Sequence, residues 1–201
     1  MASARSRWLL GAILAAAAGL RFWGLGWGLP DRWAPLHSLH PDEAISIKHV
    51  SNLRPGALDF NPKRYDIPNF FVHYTAAWCG LGHGLGAYRA VADPAHYLDH
   101  PEDAAGVYFW GRVGQAVAGI GLVAALFFAG RELFGERAGL WAAALGAVLP
   151  LLVVDAHYVK TDTLMTLFLV LSVACAGRFL RSGSRVLLWF SFASAAAAAA
   201  S

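Results

Sequence analysis

The chain has 201 residues, 57% apolar and 14% charged, with a mean hydropathy of +0.47. Water-soluble domains carry roughly a quarter charged residues, so this balance points to lipid as the solvent and excludes a disordered chain. Two cysteines exclude a disulfide scaffold, and a net charge of +3 from scattered arginines leaves no basic block for nucleic acid, which is not expected as a partner.

The first apolar run, Trp8 to Leu29, follows Arg5 and Arg7. It meets the roughly 17 to 25 helical residues that a membrane crossing takes. Its early part also fits a secretory signal, with Ala16, Ala17 and Ala18 as a small-residue cleavage site. Against that, Phe22, Trp23 and Trp27 continue past Arg21 as an interfacial aromatic belt would. In both readings residue 30 emerges outside.

Residues 30–106 hold seven of the eight histidines and nine of the thirteen acids, far more than a connection needs, and read as a small outer domain. One stretch in it, Pro68 to Tyr88, resembles a crossing. His73, His83 and the glycines at 80, 82, 84 and 86 make it a poor one. If it stays outside, Arg5 and Arg7, Arg131 and Arg137, and Arg178, Arg181 and Arg185 all fall on the cytoplasmic side, with only Lys160 in the short outer loop. The segment is therefore expected to lie along the outer surface as a juxtamembrane or re-entrant helix. Cys79 falls in this polar region and Cys175 in an apolar run, so no disulfide is expected.

Further spans are predicted at Val107 to Gly130, Ala138 to Val154 and Thr163 to Leu180. A fifth begins at Val186 and is still alanine-rich at Ser201, without a closing anchor, so the sequence reads as an N-terminal fragment. The expected fold is an all-α polytopic membrane protein of about five transmembrane helices. Residues 1–29 form the first, 30–106 the outer loop domain with juxtamembrane helices, and 107–201 the second to fifth, the last truncated.

His40-Pro41-Asp42-Glu43-Ala44 has proline followed by two acids, which suits the first turn of a helix, and helix-start chemistry alone would account for it. Adjacent acids sit about 100° apart on a helix, so one would act while the other supports. A second group, Asp155-Ala156-His157-Tyr158-Val159-Lys160-Thr161-Asp162, interrupts two apolar runs. Ionisable groups at a membrane boundary are costly unless they pair, reach water or do work. A pairing of Asp155 with Lys160 and a helix start at Thr161-Asp162 is the alternative. By the arginine topology, Asp42 and Asp162 face the same leaflet and are expected to converge.

Arg112, near the outer end of the second span, has the fork geometry to hold a phosphate at headgroup depth. Snorkelling to ordinary lipid phosphate is the competing reading. Lys63 and Arg64, before Tyr65-Asp66-Ile67-Pro68, are weaker candidates for the same contact. Glycines 80 to 86 match neither a dinucleotide nor a P-loop pattern. The histidines show no tight metal spacing, while a divalent cation on Asp42 and Asp162 stays open because carboxylates suit hard ions.

The order of these features resembles the C-type fold membrane glycosyltransferases, and within them the bacterial branch of family 39, related to protein O-mannosyltransferases and the aminoarabinose transferase of lipid A. The resemblance rests on Arg21-Phe22-Trp23-Gly24-Leu25, His40-Pro41-Asp42-Glu43, Gly111-Arg112, the inner turn from Gly130-Arg131-Glu132 to Ala138-Gly139, and Thr161-Asp162. It implies a multi-pass protein of the bacterial plasma (inner) membrane that moves a sugar from a polyprenyl-phosphate carrier to a lipid, glycan or protein acceptor at the outer face, with inversion. It also implies that Asp42 or Glu43 activates the acceptor, that Asp162 lines the site as a further catalytic acid and that Arg112 meets the carrier phosphate. His40, Lys63, Arg64 and His157 are further candidate substrate contacts on their residue types and positions. Asp66-Ile67-Pro68 stands where the aminoarabinose branch has a lysine before the proline, which leaves the sugar open. Two other classes compete. A transporter would carry polar groups near the bilayer midplane and an internal repeat, and a non-catalytic assembly subunit would leave its acids dispersed.

Overall fold

A computed structural model describes residues 4–201. Helices account for its regular structure: α1 (Ala4–Phe22), α2 (Pro41–Ser51), α3 (Asn69–Gly84), α4 (His96–Asp99), α5 (Pro101–Phe134), α6 (Glu136–Val148), α7 (Pro150–Asp155), α8 (Asp162–Ser182) and α9 (Arg185–Ala199). Among the described residues there is no β-strand beyond an isolated bridge between Arg54 and Asp59. The protein is all-α, as the composition and the apolar runs lead one to expect. Among the described residues two helices, α5 and α8, are long and apolar enough to cross a membrane, and α9 is a shorter apolar helix.

The chain divides into two compact units. One comprises Met1–Trp23, Ala116–Ala156 and Asp162–Ser201. Its core is built from Ala17, Val123, Phe127, Ala143 and Ala147, with Leu10, Ile13, Leu14 and Leu140 against it. Small residues let backbones approach here: a Cβ added to Gly139 would meet the Phe127 carbonyl oxygen at 2.6 Å. Ser172 and Ser191 exchange side-chain to carbonyl hydrogen bonds of 2.9 and 3.0 Å between α8 and α9.

Two of the predicted spans end differently from the apolar run that suggested them. The first helix stops at Phe22 and does not run on to Leu29, because Gly24 and Gly28 adopt positive φ (77° and 65°) and turn the chain. The expected Ala138 to Val154 span is split at Leu149, which is extended (φ −61°, ψ 118°) before Pro150. Pro150 has no N–H for the Gly146 carbonyl one turn back. The fully buried Arg21 answers that break: Nη2 donates to Gly146 O at 3.0 Å and Nη1 to Ala147 O at 3.1 Å.

The second unit comprises Gly24–Gln115 and His157–Thr161. Within it α3 packs along the first part of α5, and the seam is made by glycines facing aromatic rings. A Cβ on Gly82 would reach the Trp110 ring, one on Gly106 the Tyr88 side chain, and one on Gly114 the Trp78 ring, each within 2.5 Å. Tyr74 Oη donates to the Gly114 carbonyl at 2.6 Å. Cys79 is buried on α3, the helix that forms within the Pro68 to Tyr88 stretch.

Candidate functional site

The start of α2 follows local rules. His40 is extended (φ −105°, ψ 118°), Pro41 takes the first helical position, and Asp42 and Glu43 occupy the first turn, where carboxylates favour the dipole. The angular offset between the two acids then separates their environments. Asp42 is exposed, whereas Glu43 is completely buried.

Four protein donors surround the buried carboxylate. Oε1 accepts from Arg112 Nε at 2.9 Å and from the Val159 N–H at 2.9 Å, and Oε2 from Arg112 Nη2 and Ser38 Oγ, both at 2.6 Å. Arg112 is itself only 1% exposed, and its Nη1 donates to the carbonyls of Leu25 at 2.8 Å and Trp27 at 2.7 Å. A guanidinium has five N–H groups, and these bonds account for four of them. Arg112, expected beside a carrier phosphate, is thus engaged with the protein itself. Burying two charges is costly unless geometry and extra hydrogen bonds compensate, and here they do. The pair ties together α2, α5, the turn after α1 and the 157–161 loop.

Aromatic contacts extend this cluster. The Arg112 guanidinium lies 5.4 Å from the centroid of the Tyr158 ring, and the His40 ring lies against the same tyrosine, centroids 4.4 Å apart and tilted by 33°. His40 Nδ1 is buried without a hydrogen-bond partner. His157 is half-buried in the adjoining loop.

The remaining predicted residues have the following surroundings. Asp162 is exposed at the first position of α8, in the other unit. Lys63 pairs with Asp59 at 2.6 Å and Arg64 with Asp66 at 3.0 Å, with all four side chains partly exposed. Among the described residues, no group of three His, Cys, Asp or Glu side chains is arranged to hold a metal ion.

Several members of the cluster carry no sequence signal. Ser38, the Val159 N–H and the Leu25 and Trp27 carbonyls are selected by packing. His49 was also missed: fully buried on α2, it places Nδ1 2.7 Å from the Ile45 carbonyl and Nε2 2.7 Å from Asp66 Oδ1. Its bond holds the Asp66 carboxyl below the ordinary range, helped by a backbone bond and the nearby Arg64.

An all-helical fold with apolar helices and a buried Glu–Arg pair defines a membrane protein with a polar site built into one of its two units. Residues 106–201 match the family model described as dolichyl-phosphate-mannose-protein mannosyltransferase. That match, over slightly less than half of the chain, supports a membrane glycosyltransferase of the C type. The matched residues include Arg112, His157 and Asp162, while His40, Asp42, Glu43, Lys63 and Arg64 precede them. No curated protein and no solved structure matches the chain.

Proposed function

We propose that the chain carries the acidic site of a glycosyltransferase that takes a sugar from a polyprenyl-phosphate carrier at the outer leaflet and transfers it, with inversion, to an acceptor hydroxyl. The observation that supports this most is the division of labour between adjacent acids: Glu43 is enclosed by four donors, whereas Asp42 is held next to it and exposed. Asp42 is the general base. Its carboxylate takes the proton of the acceptor hydroxyl as that oxygen bonds to the anomeric carbon, and the bond from that carbon to the carrier phosphate breaks with its electrons on the phosphate. A positioned base of this kind contributes on the order of 10²- to 10⁴-fold.

Glu43 and Arg112 act through Asp42. They fix the first turn of α2, so the base is placed by a buried ion pair and not by a mobile loop. The leaving group is already a phosphate and needs charge stabilisation more than protonation. His40, His157, Lys63 and Arg64 are proposed substrate contacts. Asp162 is proposed as a second acid on the sequence pattern alone.

The test is transfer from polyprenyl-phosphate mannose by the intact protein in nanodiscs, with the anomeric configuration of the product read by NMR. Asp42→Asn is expected to lower kcat at least about 100-fold while leaving donor binding in place. Near wild-type turnover in Asp42→Asn, or a retained anomeric configuration, would overturn the assignment.

A further inference from the structure

Tyr108, Arg112 and Gln115 follow one another on α5 at spacings of four and three, which aligns them on one face of the helix. Two of the three are satisfied. Tyr108 Oη donates to the Leu36 carbonyl at 2.9 Å, and Arg112 is occupied as described above. Gln115 is not: its side chain is fully buried, and neither Nε2 nor Oε1 has a hydrogen-bond partner. Across the seam, Thr75 on α3 is also fully buried with an unpartnered Oγ1. Thr75 Cγ2 lies 3.5 Å from the place a Cβ would take on Gly111, one turn before Gln115. Both residues belong to the second unit.

Three unpartnered polar atoms on neighbouring turns of α5 and the stretch of α3 beside it call for a partner, because buried amides and hydroxyls in native proteins nearly always have one. We infer that Gln115 and Thr75 form a subsite for a hydroxyl group. The carboxamide offers donors and an acceptor, and the threonine hydroxyl does both, so their complement is a small neutral group that both donates and accepts. An anion would face Oε1, and a cation would face the amide hydrogens. Two sources have this chemistry: an ordered water, or a hydroxyl of the transferred sugar. The second rests on the transferase reading above.

Gln115→Leu and the shape-conserving Thr75→Val separate the outcomes in the intact protein in nanodiscs. Binding is measured to polyprenyl-phosphate mannose and to bare polyprenyl phosphate, and the melting temperature is recorded. A sugar hydroxyl predicts about tenfold weaker binding of the mannose-bearing carrier, with the bare carrier unaffected. A resident water predicts unchanged binding of both and a melting temperature lower by about 2–4 °C. The inference is overturned if both variants melt higher than wild type and bind both carriers normally, since an apolar side chain then improves on an amide that met nothing. It is equally overturned if both carriers weaken to the same degree. Should the wild-type protein transfer no sugar, the transferase reading fails while the melting comparison still judges the subsite.

Discussion

Arg112 and Glu43, 69 residues apart in the chain, meet through two parallel hydrogen bonds of 2.9 and 2.6 Å in a place closed to solvent. Removing either partner strands the other. Arg112→Ala is expected to destabilise the protein by about 3–5 kcal/mol, the range for breaking a buried pair. Arg112→Lys keeps the charge but not the fork, so it is expected to fall well short of wild type. Melting curves of both variants check this, and a Glu43→Gln/Arg112→Ala double variant less destabilised than the sum of the singles would measure the coupling.

Asp42 behaves in the opposite way. An exposed carboxylate in the first turn contributes only its share of dipole stabilisation, roughly 0.3–1 kcal/mol. Asp42→Asn is therefore expected to melt within a few degrees of wild type while losing turnover. Glu43→Gln is expected to lose both. Measured side by side, kcat and melting temperature separate the base from the residue that positions it.

Gly119 leaves the space that Arg21 occupies. A Cβ at Gly119 would stand 2.7 Å from Arg21 Nε and 2.8 Å from Ala156 Cβ, contacts tighter than van der Waals packing allows. Gly119→Ala and Arg21→Met are both expected to free the Gly146 and Ala147 carbonyls at the Pro150 break. Each orphaned carbonyl costs about 1–3 kcal/mol. Faster amide hydrogen exchange in α6 and α7 is the direct readout, and unchanged protection there would show that Arg21 does not secure the break.

His49 Nδ1 lies 2.7 Å from the Ile45 carbonyl oxygen and Nε2 2.7 Å from Asp66 Oδ1, so the buried ring holds the Asp66 carboxylate in place. The lowered Asp66 value has a defined sign. Its contribution to stability is fully present above the unfolded carboxylate value of about 3.9, and disappears as pH falls through the lower folded value. Stability curves of wild type and Asp66→Ala are expected to converge only once pH has fallen below the lowered folded value of Asp66.

Much of this was legible in the residues themselves. Pro41 before two acids marks a helix start, whereas the turns at Gly24 and Gly28 and the break at Pro150 lie inside apolar runs that hydropathy alone carries past them. The family match over residues 106–201 agrees with a resemblance carried partly by Gly111-Arg112 and Thr161-Asp162. The partner of Arg112 was not legible. A phosphate and a buried carboxylate both suit a guanidinium fork, and nothing in sequence spacing distinguishes them.

By itself the amino-acid order determined the solvent, the helical class and the two adjacent acids, because hydropathy, proline and helix periodicity act over one or two turns. Tertiary structure alone decided that Glu43 turns inward to Arg112 while Asp42 stays exposed, and that Arg21 covers a break more than a hundred residues away. Those choices rest on desolvation. A charge is buried only where packing brings enough donors and acceptors around it, and residues far apart in the chain supply them.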